Sequence, residues 1–140
     1  MSPFSRVLRD LRMRHGLRQG DFAAAIGYEQ TYISALELGV KGPPTDEFVS
    51  SVLNALPLAE SERAELLSAA RASDRKIVLD HDTSESVFWM FSELREHLDA
   101  LHPAQISTIR AVVAMRESLA EPPKKEIQRP RRRSKKEAAM

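Results

Sequence analysis

Apolar residues recur at helical spacing along most of this chain. Near its start, Phe4, Leu8 and Leu11 lie three or four positions apart, as the inner face of an amphipathic helix requires. Ser2 and Pro3 precede them, and serine is a favoured N-cap while proline is favoured at the first helical position. The pattern predicts a first helix that ends at the first glycine of the chain.

Four further helices are expected before residue 74. Glycines bound two short ones over roughly 18–26 and 29–38, and Thr45 is a suitable N-cap for the fourth. Ser61 is expected to open the fifth, whose inward residues are predicted to be Leu66, Leu67 and Ala70. No segment shows convincing strand alternation, so the predicted fold is all-α, with a five-helix domain over residues 1–73.

A second helical unit is expected over residues 84–120, after a linker at 74–83. Its apolar positions recur over only about two heptads, which favours a helical hairpin over a coiled coil. Two helices are too small to be stable alone, so this surface must be buried against the first domain or against a second chain. We favour a homodimer, in which the dimerisation residues are Val87, Phe88, Trp89, Phe91, Leu94, Leu98, Leu101, Ile106, Ile109 and Val113.

The last twenty residues, 121–140, form a basic tail with too few apolar side chains to offset the entropy of ordering, so we expect it to be disordered when free. Three roles remain open for it: solubility, contact with DNA phosphates, or binding to a protein partner. Its basic residues are Lys124, Lys125, Arg129, Arg131, Arg132, Arg133, Lys135 and Lys136.

Composition narrows the class of protein. The 140 residues include no cysteine, which excludes disulfides, thiolate metal sites and a cysteine nucleophile. No apolar run approaches the roughly 18 residues that span a bilayer, so we expect a soluble, cytoplasmic chain with no membrane partner. The net charge of +1 conceals a charge of +2 over residues 1–41, −6 over 42–120 and +5 over 121–140. Basic ends hint at an anionic partner such as nucleic acid.

The sequence offers little support for an enzyme. It contains no phosphate-binding loop, dinucleotide fingerprint, nucleophile elbow or zinc-protease motif. The run Asp80, His81 and Asp82 resembles a ligand set, but in a linker such a run is more often solvated. We therefore expect no catalysis, no metal and no cofactor.

The informative stretch is LRQGDFAAAIGYEQTYISALELG, residues 17–39. A helix-turn-helix needs a small residue where its helices meet, a turn residue that tolerates a left-handed conformation, and aliphatic side chains that hold the second helix. Ala23, Gly27, Ile33 and Leu36 stand at those places. The pattern resembles the DNA-binding domain of the lambda-type repressors and Cro proteins, the xenobiotic-response-element class of regulators, over about residues 3–73.

The resemblance implies roles for individual residues. Gln19 would contact a phosphate, Arg12 and Glu37 would form a structural ion pair, and the base contacts would come from Gln30, Thr31 and Ala35. Such repressors place this second helix in the major groove of DNA. One departure from the family pattern is a glycine at position 20, in the middle of a predicted helix, and another is the loop Gly-Pro-Pro at 42–44.

The chemistry of these positions is reasonable in itself. Gln30 is able to form a bidentate pair with adenine, which is worth about 1 to 3 kcal/mol of discrimination. Four side chains with donors near the motif are suited to phosphates, namely Arg18, Tyr32, Ser34 and Lys41.

The sequence thus predicts a regulator, specifically a repressor that binds an inverted-repeat operator in double-stranded DNA as a dimer, in a bacterial nucleoid or encoded by a phage or mobile element. An alternative is an antitoxin that regulates its own gene through the first domain and binds a toxin through the C-terminal part. An architectural role with weak sequence preference is a further alternative. Toxin or transcription machinery would be the protein partner.

Overall fold

The structure is a computed structural model, and it describes residues 1–115. All regular elements in this range are helices, which confirms the all-α prediction. A first compact unit covers Met1–Ile77 and a second begins at Val78. The helices of the first unit are α1 (Pro3–Arg14), α2 (Gln19–Ile26), α3 (Gln30–Leu38), α4 (Asp46–Ala55) and α5 (Glu60–Ala72).

Local capping determines where several helices begin. The Ser2 hydroxyl accepts a hydrogen bond from the Ser5 backbone N–H, and the Thr45 hydroxyl accepts one from the Phe48 N–H, so both predicted N-caps are confirmed. Helix α5 begins at Glu60 and not at Ser61 as predicted. Its first turn is closed by the Glu62 carboxylate, which accepts the Ala59 N–H at 3.1 Å.

One hydrophobic core lies among the five helices. The prediction for α5 was wrong at one position: Leu67 is 41% exposed, while Ala69 is buried beside Leu66. Helix α5 packs against α1 and α4, and it contributes Leu66 and Ala69 to the core, with Ala70 partly buried against it. The buried apolar residues are Phe4, Val7, Leu8, Leu11, Phe22, Ala23, Ile26, Ile33, Leu36, Phe48, Val49, Val52, Leu56, Leu66 and Ala69.

A buried hydroxyl joins the end of α5 to the start of α1. Ser73 accepts a hydrogen bond from the Phe4 backbone N–H at 2.9 Å and donates one to the Ala69 carbonyl at 2.7 Å. The Phe4 N–H lies in the first turn of α1 and has no partner within its own helix. Ser73 therefore closes the first unit by satisfying a buried donor.

The second unit contains α6 (Glu85–His97), a 3₁₀ turn (Leu98–Ala100) and α7 (Pro103–Ala114). None of these three elements has a fully buried residue. Of the predicted dimerisation residues, Val87, Phe91, Leu94 and Leu101 are half-buried, whereas Leu98, which falls in the 3₁₀ turn, is exposed. The second unit therefore lacks a core of its own within the described range.

The tail residues at 121–140, and the end of the predicted hairpin beyond residue 115, lie outside the described residues. Within residues 1–115, no helix combines the length and the apolar character needed to cross a bilayer.

Candidate nucleic-acid interface

Helices α2 and α3 meet through a tight turn at residues 27–29. Gly27 has φ +79°, the left-handed conformation that the sequence pattern requires at this point. The turn is held by a hydrogen bond from the Tyr28 N–H to the Ala23 carbonyl at 2.9 Å. Ala23 itself is only 2% exposed, so its small side chain allows the two helices to approach. These features form a helix-turn-helix.

Helix α3 has an inner and an outer face. Ile33 and Leu36 are buried in the core, which fixes the direction of the helix. On the outer face, Gln30 and Thr31 are exposed and Ala35 is half-buried. The structure therefore brings the three predicted base-contact residues to one accessible surface, at the N-terminal end of α3 and along its outer side.

The unusual glycine of α2 lies beneath one of these residues. Helix α2 begins at Gln19, so Gly20 is its second residue and not a mid-helix residue as predicted. A Cβ placed at Gly20 would lie 3.4 Å from Oε1 of Gln30 and 3.9 Å from Cδ of the same side chain. The Gln30 amide thus lies over the glycine at a distance that a methyl group would just fill, and a longer side chain would compete with Gln30 for its position.

Arg12, Glu37 and Gln19 form a network behind the outer face of α3. Nε and Nη2 of Arg12 donate to the two oxygens of Glu37 at 2.6 and 3.0 Å, and Nη1 donates to the Leu17 carbonyl. The hydrogen bond that Arg12 donates to Glu37 raises the pKa of Arg12 above its usual value. The Gln19 amide donates to Glu37 at 2.9 Å, so the predicted phosphate ligand is half-buried and held in one orientation.

An aromatic cluster supports the other edge of the interface. Tyr32 stacks on Tyr28 with ring centroids 5.4 Å apart and meets the edge of Phe48 at 5.5 Å. Burial is the main cause that raises the pKa of Tyr32 above its usual value. The Lys41 ammonium lies 5.3 Å from the Tyr32 ring centroid, within the range of a cation–π contact.

The remaining predicted phosphate ligands flank this surface. Arg18 is exposed at the N-cap position of α2, and Ser34 is half-buried on α3. Along the outer side of α3 runs a cavity of about 450 Å³, and the residues that line it are Gly27, Tyr28, Glu29, Thr31, Tyr32, Ala35 and Lys41.

Two residues near this surface were missed by the sequence reasoning. Glu29 is exposed at the N-cap of α3, and its position just before Gln30 was the signal that could have found it. Arg75 reaches back from the segment after α5 to donate to the Gly39 carbonyl at 3.2 Å. These residues are 36 positions apart, and nothing in the local pattern indicates the contact.

The other predicted residues occupy different parts of the structure. The predicted dimerisation residues lie on the second unit, and the basic tail residues lie outside the described range. Within residues 1–115, no group of three histidine or acidic side chains could hold a metal ion.

The fold and this surface define a protein with a helix-turn-helix DNA-binding domain. Residues 3–66 match the family model described as a helix-turn-helix domain. This match is consistent with the resemblance to lambda-type repressors and Cro proteins, and a helix-turn-helix domain suggests a DNA-binding regulator. Domains of this family are typically non-enzymatic. No curated protein and no solved structure gives a significant match to the chain.

Proposed function

We propose that the chain is a transcriptional repressor that binds an inverted-repeat DNA operator as a homodimer. Helix α3 enters the major groove, where Gln30 and Thr31 contact base edges and Ala35 contacts a thymine methyl. Phosphates on either side are contacted by Arg18 and Gln19 at the start of α2, by Tyr32 and Ser34 on α3, and by Lys41 in the loop after α3.

One observation carries the assignment of the reading helix. The N-terminal turn of α3 exposes Gln30 and Thr31, although the same helix buries Ile33 and Leu36 completely. Helix-turn-helix proteins read bases with a helix of this kind: one side is held by the core, and the polar N-terminal end is accessible to the DNA.

Dimerisation is supported by the apolar surface of the second unit. Trp89 is 62% exposed and Val113 is 73% exposed, and between α6 and α7 lies a cavity of about 400 Å³ with an apolar lining. Exposed apolar patches of this kind mark interaction sites. A second copy is the occupant that we propose, because two half-sites one helical turn apart require two copies of α3.

Selection of bound sequences from random duplex DNA tests the DNA-binding assignment. The expected result is an inverted repeat whose half-sites are separated by about one helical turn. Recovery of no sequence preference would instead favour an architectural role, and recovery of a single half-site would contradict the dimeric reading.

Substitution of Gln30 tests which helix reads the bases. We expect Gln30→Ala to weaken binding to the selected operator by about 1 to 3 kcal/mol and to relax preference at one base pair in each half-site. Asn54→Ala is the matched control, because Asn54 is an exposed amide near the end of α4 and away from α3. Equal effects of the two substitutions would contradict the assignment.

Sedimentation equilibrium of the full chain tests the dimer. Val113→Glu places a charge in the apolar groove and should shift the chain to monomer, whereas Ser107→Glu, exposed on α7 outside the groove, should not. A wild-type chain that is monomeric at all concentrations would refute the dimer. A different small protein that copurifies and is lost on Val113→Glu would favour the antitoxin alternative.

A further inference from the structure

Arg75 lies outside the segment that matches the helix-turn-helix family, yet its side chain lies over the loop that follows α3. Its Nη2 donates to the Gly39 carbonyl at 3.2 Å. The same nitrogen lies 3.4 Å from where a Cβ would stand at Gly42. This nitrogen of the guanidinium therefore lies beside both ends of the segment 39–42.

Lys41 lies between these two glycines, so the loop contributes one cationic side chain and Arg75 brings a second one to it. Both are exposed, and within residues 1–115 neither forms an ion pair with a carboxylate. The ammonium of Lys41 is directed towards the ring of Tyr32 on α3, which connects the loop to the proposed DNA-reading surface. The positive charge of the loop is therefore not neutralised within the described part of the chain.

The chemistry of a guanidinium suits a phosphate partner. Arginine has five N–H donors in a planar fork, and the Gly39 carbonyl engages only one of its nitrogens. The remaining donors match the geometry of phosphate oxygens, which arginine often binds in a bidentate manner. The hydrogen bond to Gly39 restricts the side chain in advance and lowers the entropy lost on binding.

We propose that Arg75, together with Lys41, forms a second phosphate-binding site that contacts the DNA backbone beside the C-terminal end of α3. This inference rests on the proposed DNA binding by α3. It extends the interface beyond residue 66 to the segment that follows α5, and it assigns this segment a part in affinity and none in sequence preference.

The salt dependence of DNA binding distinguishes this role from a purely structural one. A hydrogen bond that only closes the end of α3 would affect stability, whereas a phosphate contact contributes about 0.9 to the slope of log K against log salt concentration. We expect Arg75→Gln to reduce the slope by that amount, on both a selected operator duplex and a duplex of unrelated sequence.

Two further variants complete the experiment on the full chain. Arg75→Lys keeps the charge and should retain most of the slope, and Arg71→Gln removes an exposed arginine of α5 as the matched control. Loss of thermal stability in Arg75→Gln with an unchanged slope would overturn the phosphate site and leave only the structural contact.

The same titrations separate this inference from the proposed function. A wild-type chain that binds no duplex would refute both. A chain that prefers its operator, but whose slope is the same with Arg75→Gln as with Arg71→Gln, would refute the phosphate site alone.

Discussion

Removal of the buried Glu37 carboxylate should destabilise the first unit more than removal of an exposed carboxylate such as that of Asp10. Glu37 is 4% exposed and accepts hydrogen bonds from Arg12 at 2.6 and 3.0 Å and from Gln19 at 2.9 Å. In Glu37→Ala, Arg12 keeps only the Leu17 carbonyl as a partner, although its side chain is 13% exposed. The guanidinium would then be a largely buried charge without a counter-ion.

The expected cost follows from that unpaired charge. Breaking a buried ion pair on one side costs about 3 to 5 kcal/mol, and we expect the lower end because Arg12 retains some contact with water. A small domain has a total stability of about 5 to 15 kcal/mol, so this loss is a large fraction of it. The double variant Arg12→Met/Glu37→Leu replaces both charges with apolar side chains. Its first unit should lose much less stability than that of Glu37→Ala, because no unpaired charge remains.

Urea unfolding followed by far-ultraviolet circular dichroism measures these differences. The double variant should be more stable than the summed costs of Arg12→Met alone and Glu37→Leu alone predict. Asp10→Ala is the control, because its ion pair with Arg6 is exposed and such pairs contribute about 0.5 kcal/mol or less. A cost for Glu37→Ala no greater than that for Asp10→Ala, or additive effects in the double variant, would refute the reasoning.

Three other outcomes are expected. Gly20→Leu should leave the fold intact but weaken operator binding, because its side chain takes the space of the Gln30 amide; unchanged affinity in a binding titration would contradict this. Ser73→Ala should lower the free energy of unfolding, measured by thermal unfolding, by about 1 to 3 kcal/mol, since it leaves the buried Phe4 N–H without an acceptor. Ser73→Thr keeps a hydroxyl and should therefore lose less stability than Ser73→Ala. The backbone N–H of Ala59, the N-cap residue of α5, is the main cause that lowers the pKa of Glu62 below its ordinary 4.5. Its contribution to stability is therefore present above pH 4.5 and is lost as the pH falls through the lowered value, so Glu62→Gln should reduce stability at pH 7 and have little effect in strong acid.

The sequence predicted much of the local structure because the interactions involved lie within one helical turn. The caps at Ser2 and Thr45 need only a hydroxyl and a backbone N–H three residues later. The turn at Gly27 needs only a residue that adopts a positive φ without a steric clash of its Cβ, and glycine has no Cβ. The buried face of α1 follows from the spacing of its large apolar residues, and the exposed position of Gln30 follows from its place in the motif.

Tertiary packing decided what no local pattern specifies. Whether Leu67 or Ala69 faces the core depends on the angle at which neighbouring helices cross α5, which the spacing of apolar residues along α5 does not contain. The contact of Gly20 with Gln30 depends on the approach of α2 to α3. Glycine is a poor helix former, but its missing side chain leaves space for Gln30, the proposed base-contacting residue. The hydrogen bond from Arg75 to Gly39 spans 36 positions and exists only because α5 returns the chain to the end of α3. Periodicity and capping thus determined the helices, while the juxtaposition of distant residues, and with it the extent of the candidate interface, was determined by how those helices pack.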